Sequence, residues 1–376
     1  MGSPPFPPPD PDFLPPELLQ ALERLRQGAD FMPRWQSTQV LDEELGPTWR
    51  EKLLEFQDIP FAAASIGQVH LGMLLDGGFG GCLIPLLYPG CVGIPWDNTG
   101  KGLPNPSFFP PEIPFPGLFP EKSLEVLQKE LEWECDYQRE AQCARTFRDL
   151  LRDDPFFSVP RVVDELSASR VLTMELASGM PLDQCQDLSQ GVRDEICTQL
   201  LRLCLMELFE FRLMQTDPNW ANFLYDPTQH KVTLLDFGAT RSFDKEFTDH
   251  YIEVIRAAAD GDKEKVLQKS RDLKFLTGFE CKAMLSAHSS AALLLAAPFS
   301  RRAPFRFGAQ RTARGVRALL RPLLRLRLTP PPEPSYGLHR KLAGAFLCCA
   351  RLQGRVRCRR LFLRLHRRYW GGNPPR

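Results

Sequence analysis

No run of about 18 apolar residues occurs in this 376-residue chain, so no segment reads as a helix that could span a bilayer. The apolar stretch at 291–298 is too short for that and reads as a core helix. No C-x-x-C pair occurs among the eleven cysteines, which removes the usual zinc-ligand spacing and favours free thiols in a reducing compartment. No internal repeat is visible. The opening Met1-Gly-Ser-Pro-Pro-Phe-Pro-Pro-Pro lacks the arginines of an amphipathic presequence. Acidic residues are almost missing from 301–376, where nineteen arginines face a single Glu333. The formal charge of +1 therefore conceals a basic end and an acidic remainder. A basic end suits an anionic surface, whether phospholipid, nucleic acid or an acidic partner. What is present in quantity is core-forming material: 43% hydrophobic and 25% charged residues, enough for one bilobal domain or two ordinary ones.

Along the chain, residues 1–16 are proline-rich and expected to be disordered. Leu18, Leu19, Leu22 and Leu25 recur at helical spacing, and a second helix is expected at 48–56. Residues 59–71 read as strand, small-residue turn, strand. From 72 to 118 the Gly-Gly-Phe-Gly-Gly run and repeated prolines break every periodicity, so this stretch is expected to be a poorly ordered insert. Helix resumes at 120–151. Strands are expected at 162–165 and 170–175, then helices at 189–194 and 196–213 that could be continuous. A hairpin follows, 223–225 with 232–235, turned by Asp226-Pro227. The remainder reads as helix, broken at 330–334. The expected class is α+β, with a small mixed lobe over 17–176, a larger mainly helical lobe over 177–370, and a tail at 371–376.

The strongest chemical signal is Gln215-Thr-Asp217-Pro-Asn-Trp-Ala-Asn222, followed fourteen positions later by Asp236-Phe237-Gly238. Phosphoryl transfer from ATP needs metal ions on the phosphates and a carboxylate that orients the attacking hydroxyl or water. Asp217 is the candidate for that carboxylate. Asn222 and Asp236 are candidate magnesium ligands, because this metal takes sparse oxygen ligands and fills its shell with phosphate and water. A lone Asp-Phe-Gly is ordinarily a strand end and a turn. The order of the two motifs around one hairpin raises it above that. Phe61-Ala62-Ala63-Ala64-Ser65-Ile-Gly-Gln-Val-His70 reads on its own as a plain hairpin, since a phosphate-covering loop normally uses glycine. Beside the other motifs it becomes a candidate phosphate lid. The acidic Glu130-Leu-Glu-Trp-Glu134-Cys-Asp136-Tyr-Gln-Arg-Glu140 reads as a solvated helix face unless a lysine pairs with Glu134.

These words together resemble the UbiB (aarF) family of atypical kinases, and within it the mitochondrial branch associated with coenzyme Q. Phe275-Leu-Thr-Gly-Phe and Leu338-His-Arg-Lys-Leu-Ala-Gly extend the resemblance, which covers about 20–72 and 118–370. It implies a bilobal protein-kinase-like fold that binds ATP and Mg2+. It implies ATP hydrolysis or phosphotransfer in support of coenzyme Q (ubiquinone) biosynthesis, at the matrix side of the mitochondrial inner membrane. Coenzyme Q biosynthetic proteins, lipid quinone precursors and anionic inner-membrane lipid are the implied partners, and a homodimer stays open. By the same resemblance, Ala62, Ala63, Ala64 and Ser65 line the nucleotide, Glu134 pairs with a phosphate-binding lysine, and Glu175 and Leu176 lie at the adenine hinge. Peptide-kinase activity is not implied, and no Ala-Pro-Glu follows Asp236-Phe237-Gly238.

Pro85 falls where the family carries its lysine, and 91–114 does not resemble the helix expected there. A proline supplies neither the charge nor the strand N–H. The family's Lys-x-Gly-Gln helix, membrane segment and presequence are not found either. An alternative reading is therefore an impaired pseudokinase that acts as a scaffold of the coenzyme Q biosynthetic complex. A small-molecule kinase of the aminoglycoside or choline kind would share Asp217, Asn222 and Asp236 but not the alanine-rich and Glu-Cys-Asp words. At the basic end, Arg314, Arg317, Arg321 and Arg325 recur at three to four residues. This reads as a solvated face or a contact with anionic lipid. No nucleic-acid recognition motif accompanies it.

Overall fold

The computed structural model describes residues 32–63, 67–85, 125, 129, 132–133, 135–217, 219–309 and 312–371. Helix α1 (Arg34–Leu45) leads through a 3-10 turn (Trp49–Lys52) to strands β1 (Leu53–Phe56), β2 (Ala62–Ala63), β3 (Gly67–Leu74) and β4 (Phe79–Pro85). Next come α2 (Tyr137–Leu150), β5 (Phe157–Ser158), β6 (Leu172–Glu175), β7 (Met180–Pro181) and α3 (Gln190–Met206). Strands β8 (Leu213–Gln215), β9 (Phe223–Asp226), β10 (Lys231–Leu234) and β11 (Thr240–Ser242) follow. Helices α4 (Lys245–Asp260), α5 (Lys263–Asp272) and α6 (Lys282–Leu295), strand β12 (Phe305–Arg306) and helices α7 (Thr312–Leu326) and α8 (Glu333–Arg351) precede β13 (Arg355–Val356) and α9 (Cys358–Tyr369). The architecture is α+β. Its described residues fall into two compact units, one drawn from 1–109, 130–181 and 221–238, the other from 110–129, 182–220 and 239–376.

The first unit holds an antiparallel sheet of order β1-β3-β4-β6, with β2 also on β3. Trp49 is 1% exposed, donates its indole N–H to Asp42 at 2.9 Å and meets Phe56 edge-on at 4.8 Å. Together with Val40, Leu41 and Val171 it forms the core of this sheet. The helix expected at 48–56 is therefore corrected to a short turn and a strand. Leu53 and Phe56 pair with Leu74 and Gly72 of β3, and this non-local pairing outweighs local helical spacing. The insert expected from 72 is also corrected as far as Pro85. Residues 72–74 complete β3, a turn with Gly77 at φ +83° follows, and β4 then pairs with both β3 and β6. Glycines that break a periodic pattern still pair through their backbone. Residues 86–118 lie outside the described residues, as do the proline-rich start and the Leu18–Leu25 pattern. The strand expected at 162–165 is a single bridge, Val162 to Met174, followed by a 3-10 turn at Asp164–Leu166.

A second sheet in the same unit has the order β5-β10-β9-β7, with β5 parallel to β10. Its centre is the expected hairpin, with Phe223 opposite Leu234 and Asp226 opposite Lys231. Gly179 sits at φ +125° beside this hairpin. A Cβ there would lie 2.8 Å from the Tyr225 carbonyl oxygen, so the close approach requires glycine.

The second unit is mainly helical. The helices expected at 189–194 and 196–213 are one helix, α3, capped by Ser189 accepting from the Val192 N–H at 3.4 Å. It widens into a π turn at Glu207–Phe211 and stops at Arg212, φ +51°. The last residue of the expected helix, Leu213, opens β8, which pairs antiparallel with β11. Leu276, Met284, Ala287 and Leu323 form one apolar cluster here, and Ala257, Ala258, Val266 and Ala296 another. Nine of the described cysteines are free thiols. Among the described residues no helix is long and apolar enough to cross a membrane.

Candidate phosphotransfer site

In the first unit the β9–β10 hairpin brings its two ends together. The Leu235 N–H donates to the Asn222 carbonyl at 2.8 Å, one step beyond the Phe223–Leu234 pair. The next residue is Asp236, and the Asn222 amide Nδ2 donates to Asp236 Oδ2 at 3.2 Å. Fourteen residues of separation collapse to one hydrogen bond because a tight antiparallel hairpin returns the chain to its starting point. Asp236 is a non-glycine residue at φ +57°, a backbone state that is uncommon outside functional and turn positions. Its Oδ1 accepts the Gly238 N–H at 3.2 Å, closing the Asp-Phe-Gly turn through its own side chain.

Helix α2 holds that turn. Glu140, 4% exposed, accepts the Phe237 N–H on Oε1 at 3.1 Å. Arg139 donates from Nη1 to the Gly238 carbonyl at 2.6 Å. The Phe237 ring is fully buried and lies 5.0 Å from the Phe147 ring one helical face along. Asp136 caps α2 by accepting the Arg139 N–H at 3.0 Å. The sequence had marked the Glu-Cys-Asp word for Glu134, which lies outside the described residues. The residues of that word seen to grip Asp-Phe-Gly are Arg139 and Glu140, and sequence reasoning missed their role. The available signal was that the word ends in a glutamate placed one turn into a helix whose cap is Asp136.

Asp217 belongs to the second unit, two residues beyond β8, where its Oδ1 accepts the Asn219 N–H at 3.2 Å. The preceding Thr216 is fully buried, with its N–H and Oγ1 both bonded to the Ala239 carbonyl at 3.2 and 2.7 Å. Gln215 is buried between Glu207 and Lys341, two further residues that the motif reading did not single out. Lys341 had been quoted only as part of the downstream Leu-His-Arg-Lys word.

The nucleotide-lining candidates are placed less fully. Ala62 and Ala63 form β2, opposite Val69 and Gln68, while Ala64 and Ser65 lie outside the described residues. Pro85 is the last residue of β4, opposite Gly67. Glu175 ends β6, where its carboxylate accepts the Arg161 backbone N–H at 3.0 Å and Nε at 2.9 Å. Burial pushes its pKa up, but the Arg161 hydrogen bonds and charge, with Arg148 behind them, hold it below the ordinary value. Leu176 is 46% exposed. Among the described residues no three His, Cys, Asp or Glu side chains cluster as a metal site.

Comparison with known proteins shows the family. Residues 24–270 match the family described as the ABC1 atypical kinase-like domain. A rat protein named "Atypical kinase COQ8B, mitochondrial" is 59% identical over 362 residues, 96% of this chain and 68% of that protein. The zebrafish (Danio rerio) protein of the same name is 54% identical over 361 residues, again 96% of this chain but 57% of the relative's own length. Against that relative, the chain thus spans little more than half of the full protein. Among solved structures, the complex of Rv3197 with erythromycin from Mycobacterium tuberculosis superposes with a TM-score of 0.67 at 25% identity, covering 93% of this chain and 87% of that one. The two-unit α+β fold, the hairpin that unites Asn222 with Asp236, and these relatives agree: the chain belongs to the ABC1 (UbiB) family of atypical kinase-like proteins.

Proposed function

We propose that this chain is an atypical kinase or ATPase that binds Mg-ATP and supports coenzyme Q biosynthesis in mitochondria. The observation that carries the reading is the Asn222–Asp236 contact at the base of the hairpin. Neighbouring ligands of an octahedral Mg2+ at 2.0–2.1 Å lie about 2.9 Å apart. The 3.2 Å approach of these two side chains is close to that, and a half-turn of the Asn222 amide puts its oxygen where its nitrogen now is. A carboxylate and an amide oxygen fit a cation that completes its shell with phosphate and water. Bound Mg2+ would neutralise charge on the ATP phosphates.

The chain's own residues then have distinct tasks. Asn222 and Asp236 hold the cation. Glu140 and Arg139 fix the backbone on either side of Phe237, so the Asp236 carboxylate is set before ligand arrives. Asp217 orients the attacking hydroxyl or water. The mitochondrial names of the relatives and the coenzyme Q resemblance support placement at the inner membrane, among coenzyme Q biosynthetic proteins, quinone precursors and anionic lipid.

The impaired scaffold remains a second reading because of Pro85, which closes β4 at the position where the family carries its phosphate-binding lysine. Thermal shift with ATP, with and without Mg2+, separates the two, run on this chain and on Pro85→Lys. Mg2+-dependent stabilisation of the chain itself supports the enzyme. Stabilisation only after Pro85→Lys supports the impaired form. In the enzyme reading, Asp217→Asn keeps nucleotide binding and loses hydrolysis. Unchanged hydrolysis would remove Asp217 from its assigned role.

A further inference from the structure

The second unit buries an ion pair directly beneath the segment that carries Asp217. Glu207, Gln215 and Lys341 are 0%, 4% and 4% exposed. Glu207 Oε1 accepts the Gln215 backbone N–H at 3.2 Å. Lys341 donates to the Gln215 side-chain oxygen and lies 3.9 Å from Glu207 Oε2. Helix α8 also reaches the next residue along. Arg340 Nη2 donates to Thr216 Oγ1 at 3.4 Å, and a Cβ on Gly337 would stand 3.0 Å from the Thr216 methyl. Positions 337, 340 and 341 share one helical face, so a single turn of α8 grips both residues that precede Asp217.

Stability alone does not account for this arrangement. A buried ion pair loses so much hydration that a well-packed apolar pair of similar volume commonly stabilises a protein as much or more. Among the described residues Glu207 Oε2 accepts no hydrogen bond, which leaves part of that loss uncompensated. What the pair supplies is direction. The carboxylate fixes the backbone of Gln215 and the ammonium fixes its side chain, two residues from Asp217. Glu207 also opens the π turn of α3, a departure from regular helix that often accompanies function.

We propose that Glu207 and Lys341 are positioning residues for Asp217, holding Gln215 and Thr216 in place only while the pair is ionised. This rests on the role proposed above for Asp217. Burial drives the Glu207 pKa up to about 7, against the opposing pull of the Lys341 charge and the Gln215 N–H. The Cys204 thiol also feels both charges; burial pushes it up to about 12, so it stays neutral. Because the folded pKa of Glu207 lies above its ordinary 4.5, its contribution to stability is present at low pH and is lost as pH rises toward 7. Positioning has the opposite sign and is gained as pH rises through 7. The local order of the Asp217 segment and the Glu207 contribution to stability therefore run against each other with pH.

The test uses amide exchange and ATP turnover of the full chain. At pH 8 the double variant Glu207→Gln/Lys341→Met should melt at or near the parent temperature. Its 215–219 amides should exchange at least tenfold faster, and those of the β9–β10 hairpin should not change. Turnover should fall at least tenfold with KM for ATP unchanged, and the acid limb near pH 7 should disappear. Lys341→Arg should restore protection. Should the double variant not fold, the parent decides: after correction for intrinsic rates, the 215–219 amides should be less protected at pH 6 than at pH 8, relative to the hairpin. Equal protection in parent and double variant, or at both pH values of the parent, overturns the proposal. A parent that turns over no ATP counts against the phosphotransfer reading, while the exchange result still decides the positioning role.

Discussion

The two acidic motifs are held by different means, and the contrast is informative. In the first unit, Asp236 sits on a hairpin end whose backbone is tied to helix α2 by Glu140 and Arg139. Each of those bonds satisfies a polar group of the chain itself. In the second unit, Asp217 follows a strand anchored by a buried pair, Glu207 and Lys341, in which a carboxylate oxygen is left without a hydrogen bond. The first anchor joins two side chains to backbone groups of the Asp-Phe-Gly turn. The second depends on a carboxylate that titrates at about 7. The proposed roles fit this contrast: a metal ligand needs a fixed position, and a neutral-pH proton switch would serve a group that orients a nucleophile.

The largest effect should come from breaking the second anchor on one side only. Lys341→Met leaves Glu207 buried without its partner, a change that costs about 3–5 kcal/mol for a broken buried pair. Urea denaturation at pH 8 should show that loss, and it should shrink toward pH 6 as Glu207 takes up a proton. Next is the first anchor. Glu140→Ala leaves the buried Phe237 N–H without its acceptor, at about 1–3 kcal/mol. Glu140→Gln keeps an oxygen there and should cost less. Only the alanine variant should also weaken Mg2+-dependent ATP binding.

The motif residues were legible in the sequence, and the anchors that hold them were not. Asp217, Asn222 and Asp236 stand in local motifs, and a short hairpin with alternating apolar residues predicts its own closure. The strand at Leu53–Phe56 and the pairing of Gly80 and Gly81 in β4 were not legible, because each depends on partners in β3 and β6 rather than on local periodicity. Glu140 and Lys341 were read as parts of family words without a task. Their tasks depend on contacts across 97 and 126 residues, with Phe237 and Gln215 respectively. Charge counts did not reveal them either, since a charge buried beside a partner looks the same in sequence as one on a solvated face.

Two smaller changes sharpen the comparison by sparing both anchors. Ser189→Ala removes the cap of α3 and should cost about 1 kcal/mol in thermal denaturation. Nucleotide binding should be unaffected, because the far end of that helix is fixed by Glu207. Arg152→Ala removes an exposed i,i+3 pair with Asp149 at 2.5 Å and should change stability by less than about 0.5 kcal/mol.

The central claim is that Asn222 and Asp236 form the magnesium side of an ATP site. Titration calorimetry of ATP into this chain, with and without Mg2+ and beside Asp236→Asn, tests it most directly. The account predicts binding by the parent that depends on Mg2+, and at least tenfold weaker Mg2+-dependent binding by a folded Asp236→Asn. Equal affinity with and without the metal, or equal affinity of parent and variant, would contradict it.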